Sequence, residues 1–350
     1  MTLYIVKHFN KVQNLRNKLL QKYAVLYDSK MIKIKLRGGL GNQLFQLAAG
    51  LYICHRNKSD YLVDSEFIGN KIPALINFGF VEANKYSDKS NFLDKVYVTK
   101  PNNRHKAFLW EKKFEAIRIK AGETYTDPSD LDEYDLHIPR IKNIRTVRGW
   151  FQTQIYANEL AKYGINFRST SWYNSLKVLN KYRLSKISPS QESFLLSQVS
   201  NENTIVIHVR CYEEKLSNSL GILSDNFYIN AVKKMSDSIR TSRNIDATVL
   251  SIIIVCDNKT RSSSLAKKLY NSFGIVTYTL DDELFDKDEI AFYLITKAKN
   301  LVIANSTFSW WGAYLGEADS VIAPERWYYK SPYSKGLYLK DWATVAADWA

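Results

Sequence analysis

Cysteine is scarce in this chain of 350 residues. The three present, Cys54, Cys211 and Cys256, are odd in number and form no CxxC pair. That pattern indicates neither a disulfide framework nor a zinc site, and no metal is expected. It points to a reducing compartment. Long apolar runs are also missing. The longest, Val249 to Cys256, contains Ser251 and is far too short to cross a bilayer. Residues 1–30 lack the continuous apolar core of a secretory leader, so a cytoplasmic protein is expected. Finally, there is no block of five or more Lys/Arg residues, although the formal net charge is +14 and the pI about 9.4. Scattered positive charge suits a phosphorylated small substrate or an anionic membrane surface better than nucleic acid.

What is there is ordinary globular composition, 45% hydrophobic and 24% charged. The length favours two domains, because single cores rarely grow past about 250–300 residues. Phe9, Val12, Leu15, Leu19 and Leu26 recur at near-helical spacing, with Lys7, Lys11, Arg16, Lys18 and Lys22 on other faces. Such a basic helix can lie on an anionic membrane or pack on the body of the protein. We therefore set residues 1–30 apart as an N-terminal helical extension. From Met31 the pattern becomes strand, glycine turn, helix, which is how parallel α/β sheets begin. Asn42 is expected to cap a helix over Leu44–Ile53. Residues 55–200 are harder to parse. The polar stretch from Tyr182 to Asn203 marks a boundary, giving a domain at 31–200 and another at 201–350. In the second, short apolar runs at Thr204–Val209, Val249–Cys256, Ile275–Leu280, Leu301–Ala304 and Val321–Ala323 alternate with helical segments. This is the signature of a doubly wound α/β sheet.

Ligands of such sheets bind at the carboxyl ends of the strands. Four polar clusters hold that position. Gly38-Gly39-Leu40-Gly41-Asn42-Gln43 can bring backbone close to a phosphate, or be a structural turn. Arg210, after His208 and Val209, can clamp a diphosphate with two parallel hydrogen bonds, or sit in an ion pair. His208 can orient or neutralise a leaving group, and Val209 faces the other side by strand alternation. Asp257 can accept from a guanine edge, or cap the next helix. Asn305-Ser306-Thr307-Phe308-Ser309-Trp310-Trp311-Gly312 offers hydroxyls and N–H groups at a helix start, with tryptophans that can equally be core. Trp150, Gln152, Tyr156 and His137 are candidate walls of an acceptor cleft, or structural.

In this order the motifs resemble the bacterial α-1,2-fucosyltransferases, glycosyltransferase family 11. The segments that carry the resemblance are Arg37-Gly38-Gly39-Leu40-Gly41-Asn42-Gln43-Leu44-Phe45-Gln46, Gly149-Trp150-Phe151-Gln152, Ile207-His208-Val209-Arg210 and Ala304 through Gly312. It covers about residues 31–330. It implies a GT-B fold, two Rossmann-like α/β domains facing a cleft, with residues 31–200 on the acceptor side and 201–350 holding the GDP-sugar. It implies inverting, metal-independent transfer of L-fucose from GDP-fucose to a 2-hydroxyl, commonly of galactose. The donor is a substrate, so no cofactor is expected. The setting implied is surface polysaccharide such as O-antigen, built on an oligosaccharide or lipid-linked acceptor.

By position, the resemblance puts Arg210 on the β-phosphate with His208 beside it. Asn42 would reach the diphosphate from the other domain, within a loop that also brings Gly39, Gly41 and Gln43 to the donor. Ser306, Thr307 and Phe308 would complete the phosphate site, and Asp257 would read guanine. The family usually continues His-x-Arg with Arg-Gly-Asp. Here Cys211-Tyr212-Glu213 stands instead, so a carboxylate is kept and Glu213 becomes the candidate base. The altered tripeptide leaves open another GDP-deoxyhexose as donor, or an inactive relative that only binds a nucleotide sugar. An incomplete dinucleotide fingerprint at Gly39-x-Gly41 leaves a nicotinamide-dependent oxidoreductase as the competing enzyme class.

Overall fold

Ile32, Ile34 and Leu36 alternate with Lys33 and Lys35, and the apolar set is wholly buried. A period of two with one apolar face is what a strand requires. In the computed structural model this segment is β1 (Met31–Lys35), the centre of a sheet. The structure describes residues 31–64, 97–99, 123–126, 144–165, 167, 189–212, 220–280, 288–330 and 336–350. The extension at 1–30, His137 and Glu213 lie outside them.

After β1 come α1 (Leu40–Asn57), β2 (Asp60–Asp64), β3 (Tyr97–Thr99), β4 (Glu123–Thr126), β5 (Ile144–Arg148) and α2 (Ile155–Lys162). The first sheet runs β3-β2-β1-β5-β4, with every pairing parallel. Then follow α3 (Pro189–Val199), β6 (Thr204–Val209), α4 (Asp225–Arg243), β7 (Ser251–Cys256) and α5 (Lys259–Phe273). The chain continues through β8 (Val276–Leu280), α6 (Asp288–Lys297), β9 (Asn300–Val302), α7 (Thr307–Leu315), β10 (Ser320–Pro324) and β11 (Ala343–Val345). The second sheet runs β11-β10-β9-β6-β7-β8, again all parallel. Counted from β6, that is the 3-2-1-4-5-6 order of dinucleotide-binding sheets. The expected α/β architecture with two parallel Rossmann-like sheets is present.

In the first sheet β1 and β5 lie side by side although far apart in sequence, and in the second the chain direction reverses between β6 and β9. Loops leaving such neighbours diverge and open a crevice at their carboxyl ends. In the first sheet those ends carry the glycine turn and Trp150-Phe151-Gln152. In the second they carry Arg210 and Asn305-Ser306-Thr307.

Three local expectations need correction. Helix α1 begins at Leu40, with Gly39 in the cap position and Asn42 inside the first turn. Asn42 is therefore not the cap. The polar stretch 182–203 contains α3, opened by Pro189, whose missing N–H is no loss in a first turn. Asp257 does not cap α5. Asn258 does, its side-chain oxygen accepting from Arg261 N at 2.8 Å.

The two sheets share a core. One apolar cluster joins Ile34, Phe45 and Tyr52 of the first half to Val206, Leu301, Trp310 and Trp311 of the second. The Phe45 ring centroid lies 4.6 Å from that of Trp310 and 5.1 Å from that of Trp311. Both tryptophans are fully buried, so the adjacent pair is core. A second cluster, under α4 on the opposite face of the second sheet, gathers Ile205, Ile207 and Val209 with Phe227, Val232 and Leu265. Residues of β6 thus alternate between clusters, as the strand period demands.

Helices α1 and α7 meet at their starts. A Cβ placed on Gly41 would lie 2.3 Å from the Thr307 carbonyl carbon and oxygen and 2.6 Å from Phe308 N. That is backbone, which cannot swing aside. Gly41→Ala is expected to cost about 1–3 kcal/mol through overpacking. Urea unfolding checks this; an unchanged midpoint would show that the helices are free to part.

Candidate active site

The glycine turn is held from within. Gly38 adopts φ +76°, a left-handed conformation that suits glycine. The buried Gln43 donates through Nε2 to Gly38 O at 2.8 Å. Gln46 grips the preceding residue, accepting from Arg37 N at 2.9 Å and donating to Arg37 O at 3.3 Å. The Arg37 guanidinium stacks 3.8 Å above the Trp150 ring. Gln43 and Gly41, both expected at the donor, are engaged within the protein in the free state. Gln43 braces the turn, and Gly41 lies buried against α7. Gly39 remains exposed, with nothing within 4 Å of where a Cβ would be.

Asn42 is half-buried and accepts a 2.8 Å hydrogen bond from Gln152 Nε2 through its side-chain oxygen. Gln152 in turn accepts from Tyr328 OH. Thr153 Oγ1 donates to Gly336 O at 3.0 Å, and Gln154 N to the same carbonyl at 2.7 Å. The middle motif therefore ties the glycine loop to the carboxyl-terminal part of the chain. Of the candidate acceptor walls, Gln152 is committed to this relay and Tyr156 is buried in the core. Trp150 is 40% exposed.

At the end of β6, Val209 points into the cluster under α4, and His208 points the opposite way, 5.7 Å from the Phe308 ring. His208 is buried, and among the described residues its Nδ1 has no hydrogen-bond partner. Burial, helped by the nearby Arg210 charge, pushes its pKa down to about 3. In the free protein the ring is therefore neutral at physiological pH. It can orient a leaving group by hydrogen bonding, but it does not neutralise one by charge.

Arg210 is ion-paired with Asp257, and Cys211 N donates to the other Asp257 oxygen at 2.9 Å. Both carboxylate oxygens are used in the free protein. Tyr212 OH donates to Asn305 O at 2.6 Å, and Asn305 Nδ2 donates to Leu220 O at 3.0 Å. Tyr212 thus locks the β6 loop onto the β9 loop. Ser306 occupies the cap position of α7 in an extended conformation and makes no side-chain capping bond. Helix α1 likewise starts without a side-chain cap. Two helix N-termini, each with unsatisfied N–H groups, therefore begin side by side. Arg210, the unpartnered His208, Ser306, Thr307 and Phe308 gather on the second-sheet side of this point, and Asn42 lies on the other.

Residues 187–346 match the family model Glycosyl transferase family 11. The match agrees with the resemblance carried by the motifs, and the two parallel Rossmann-like sheets agree with a GT-B-type architecture. The chain is also 23% identical over 328 residues to the O-antigen biosynthesis glycosyltransferase WbnK of Escherichia coli, covering 89% of this chain and 99% of WbnK. Among solved structures, it is similar to an Arabidopsis thaliana FUT1 variant in complex with GDP, at 14% identity and TM-score 0.46, covering 84% of this chain and 70% of that one. It is similar to NodZ alpha-1,6-fucosyltransferase soaked with GDP-fucose at 13% identity and TM-score 0.41, covering 85% and 95%. It is similar also to the fucosyltransferase NodZ from Bradyrhizobium, at 12% identity and TM-score 0.41, covering 82% and 93%.

Sequence reasoning missed the Tyr212–Asn305 lock, the Gln152 relay and the approach of Cys211 to Cys256. All three join residues far apart in the chain, for which a single sequence offers no spacing signal.

The buried neutral His208 fixes a pH dependence. Its folded pKa lies below the unfolded value, so the unfolded chain takes up the proton first as pH falls. Stability present above about pH 6.5 is lost as pH drops toward 3, by up to about 1.4 kcal/mol per unit from this one group. His208→Gln is expected to flatten the decline in Tm between pH 7 and pH 4. An identical decline in both proteins would show that His208 is not the group responsible.

Proposed function

We propose that the protein transfers L-fucose from GDP-fucose, with inversion, to a 2-hydroxyl of a galactose-containing glycan. The observation that carries this reading is the convergence of Arg210, the unpartnered His208 and the N-termini of α1 and α7 at the second sheet's strand reversal. Cleavage of the donor's glycosidic bond leaves negative charge on GDP. Fixed guanidinium, N–H and hydroxyl dipoles in that place stabilise it without a metal. The family match supports glycosyl transfer, and the similarity to WbnK supports a part in O-antigen biosynthesis; a lipid-linked acceptor is part of the proposal.

In this reading the diphosphate replaces Asp257 on Arg210. Asp257 is released to accept from the N–H groups of a guanine edge. Ser306 Oγ and the N–H groups of Thr307 and Phe308 face the phosphates from α7. Asn42 reaches them from α1 through its amide nitrogen, and Gly39 leaves the approach open. Glu213 is assigned the deprotonation of the acceptor hydroxyl. The basic extension at 1–30 suits peripheral contact with an anionic membrane, where a lipid-linked acceptor resides. Among the described residues no helix is long and apolar enough to cross a membrane.

A thermal-shift panel with GDP, GDP-fucose, GDP-mannose, UDP-galactose and NADH in EDTA tests the donor. Stabilisation by the GDP compounds alone, undiminished by EDTA, is expected. A shift with NADH only would replace this reading with an oxidoreductase. Arg210→Ala is expected to lower turnover at least about a hundredfold, the usual scale for removing one fixed donor to a developing charge. Near-normal turnover would remove Arg210 from the mechanism.

A further inference from the structure

Cys211 and Cys256 are not needed by the transfer reaction, yet the fold brings them together. Strands β6 and β7 pair in parallel with Val209 opposite Cys256, so Cys211 emerges just beyond its neighbour on the next strand. The two sulfur atoms and an Asp257 carboxylate oxygen all lie within 4.8 Å of one another. Cys256 is buried and Cys211 half-exposed. We propose that Cys211 and Cys256 form a redox-active dithiol, and that closing the disulfide between them disables the neighbouring Arg210 site.

The surroundings favour thiol chemistry over a metal ion. The neighbouring Cys256 thiol holds the Cys211 thiol below its ordinary value, and the Arg261 charge acts in the same direction. The Cys211 thiol and burial push Cys256 up, and Cys256 Sγ donates to Asn258 O at 3.3 Å. Arg210 is already paired with Asp257, so a cation would have to displace one positive charge and settle near another. Thiolate character on the accessible member and a buried partner are the division of labour between an attacking and a resolving cysteine.

The oxidant is a small-molecule disulfide. The Cys211 thiolate attacks one of its sulfurs, forming a mixed disulfide and expelling one thiolate. The Cys256 sulfur loses its proton and attacks the Cys211 sulfur, expelling the second thiolate. Two protein thiols are oxidised and one external disulfide is reduced to two thiols. Bond formation requires the sulfurs to approach to about 2.05 Å. Cys211 N is bonded to Asp257 and Arg210 is the preceding residue, so drawing Cys211 toward β7 shifts both members of the Arg210–Asp257 pair. Only this effect on donor binding rests on the function proposed above; the bond itself does not.

The full-length protein is treated with excess oxidised glutathione, its remaining thiols are alkylated, and its peptides are mapped by mass spectrometry. A Cys211–Cys256 cross-link that dithiothreitol reverses is expected, with Cys54 still a thiol. Cys256→Ser is expected to stall as a glutathione adduct on Cys211. In the cross-linked protein the Kd for GDP is expected to rise at least about tenfold, or 1.4 kcal/mol, and to recover on reduction. Free Cys211 and Cys256 after oxidation, or an adduct without cross-link in the unsubstituted protein, would overturn the dithiol. A cross-linked protein that binds GDP as tightly as the reduced one would overturn its effect on the site. A reduced protein that cross-links normally but never responds to GDP would instead count against the GDP donor and leave the dithiol standing.

Discussion

Thr307 and Gly41 touch with no room for one more carbon atom between them. Much of the site follows from that contact. It sets the start of α1 against the start of α7, so two loops from different sheets face one another at fixed distance. It is backed by Phe45 against Trp310 and Trp311, an apolar contact that keeps the helices from sliding. The polar ties laid over it, from Gln152 to Asn42 and from Gln154 to the backbone of Tyr338 at 2.5 Å, fix the orientation in which the halves meet. Apolar burial supplies the attraction, and the hydrogen bonds supply the register.

The electrostatic side of the site is equally a matter of placement. No single group in it is unusual. A strand-end arginine, a buried histidine and two helix starts are common features of α/β proteins. Their concentration where chain direction reverses gives them a joint use, because each alone would be worth little against water. Burial removes water from His208, and Tyr212 bridges the two loops, so the dipoles need little rearrangement when charge develops.

The second sheet was legible in the sequence because β6, β7, β9 and β10 are buried on both faces and read as apolar runs, as Ser251–Cys256 does. The motifs around Arg210 and Ser306 were legible because strand ends and helix starts have local signatures. What was not legible was the reason for individual residues within the motifs. Gly41 and Gln43 read as ligand contacts because loop glycines and amides often are. Their actual work, close packing against Thr307 and bracing of Gly38, depends on partners that only folding brings near. Helix α3 was hidden by its polar composition, and its boundary was blurred by Ser190, Ser193 and Ser197, which are exposed. The cap of α5 went to Asn258 instead of Asp257 because Arg210 claims the Asp257 carboxylate.

That claim has a consequence of its own. The Arg210–Asp257 side chains are 43% and 32% exposed, so their pairing is worth only about 0–1 kcal/mol. In the proposed reading that low cost matters: a donor diphosphate, with several oxygens and more than one negative charge, exchanges for Asp257 on Arg210 at little expense, so the resting pair keeps the guanidinium in place without competing strongly with the donor.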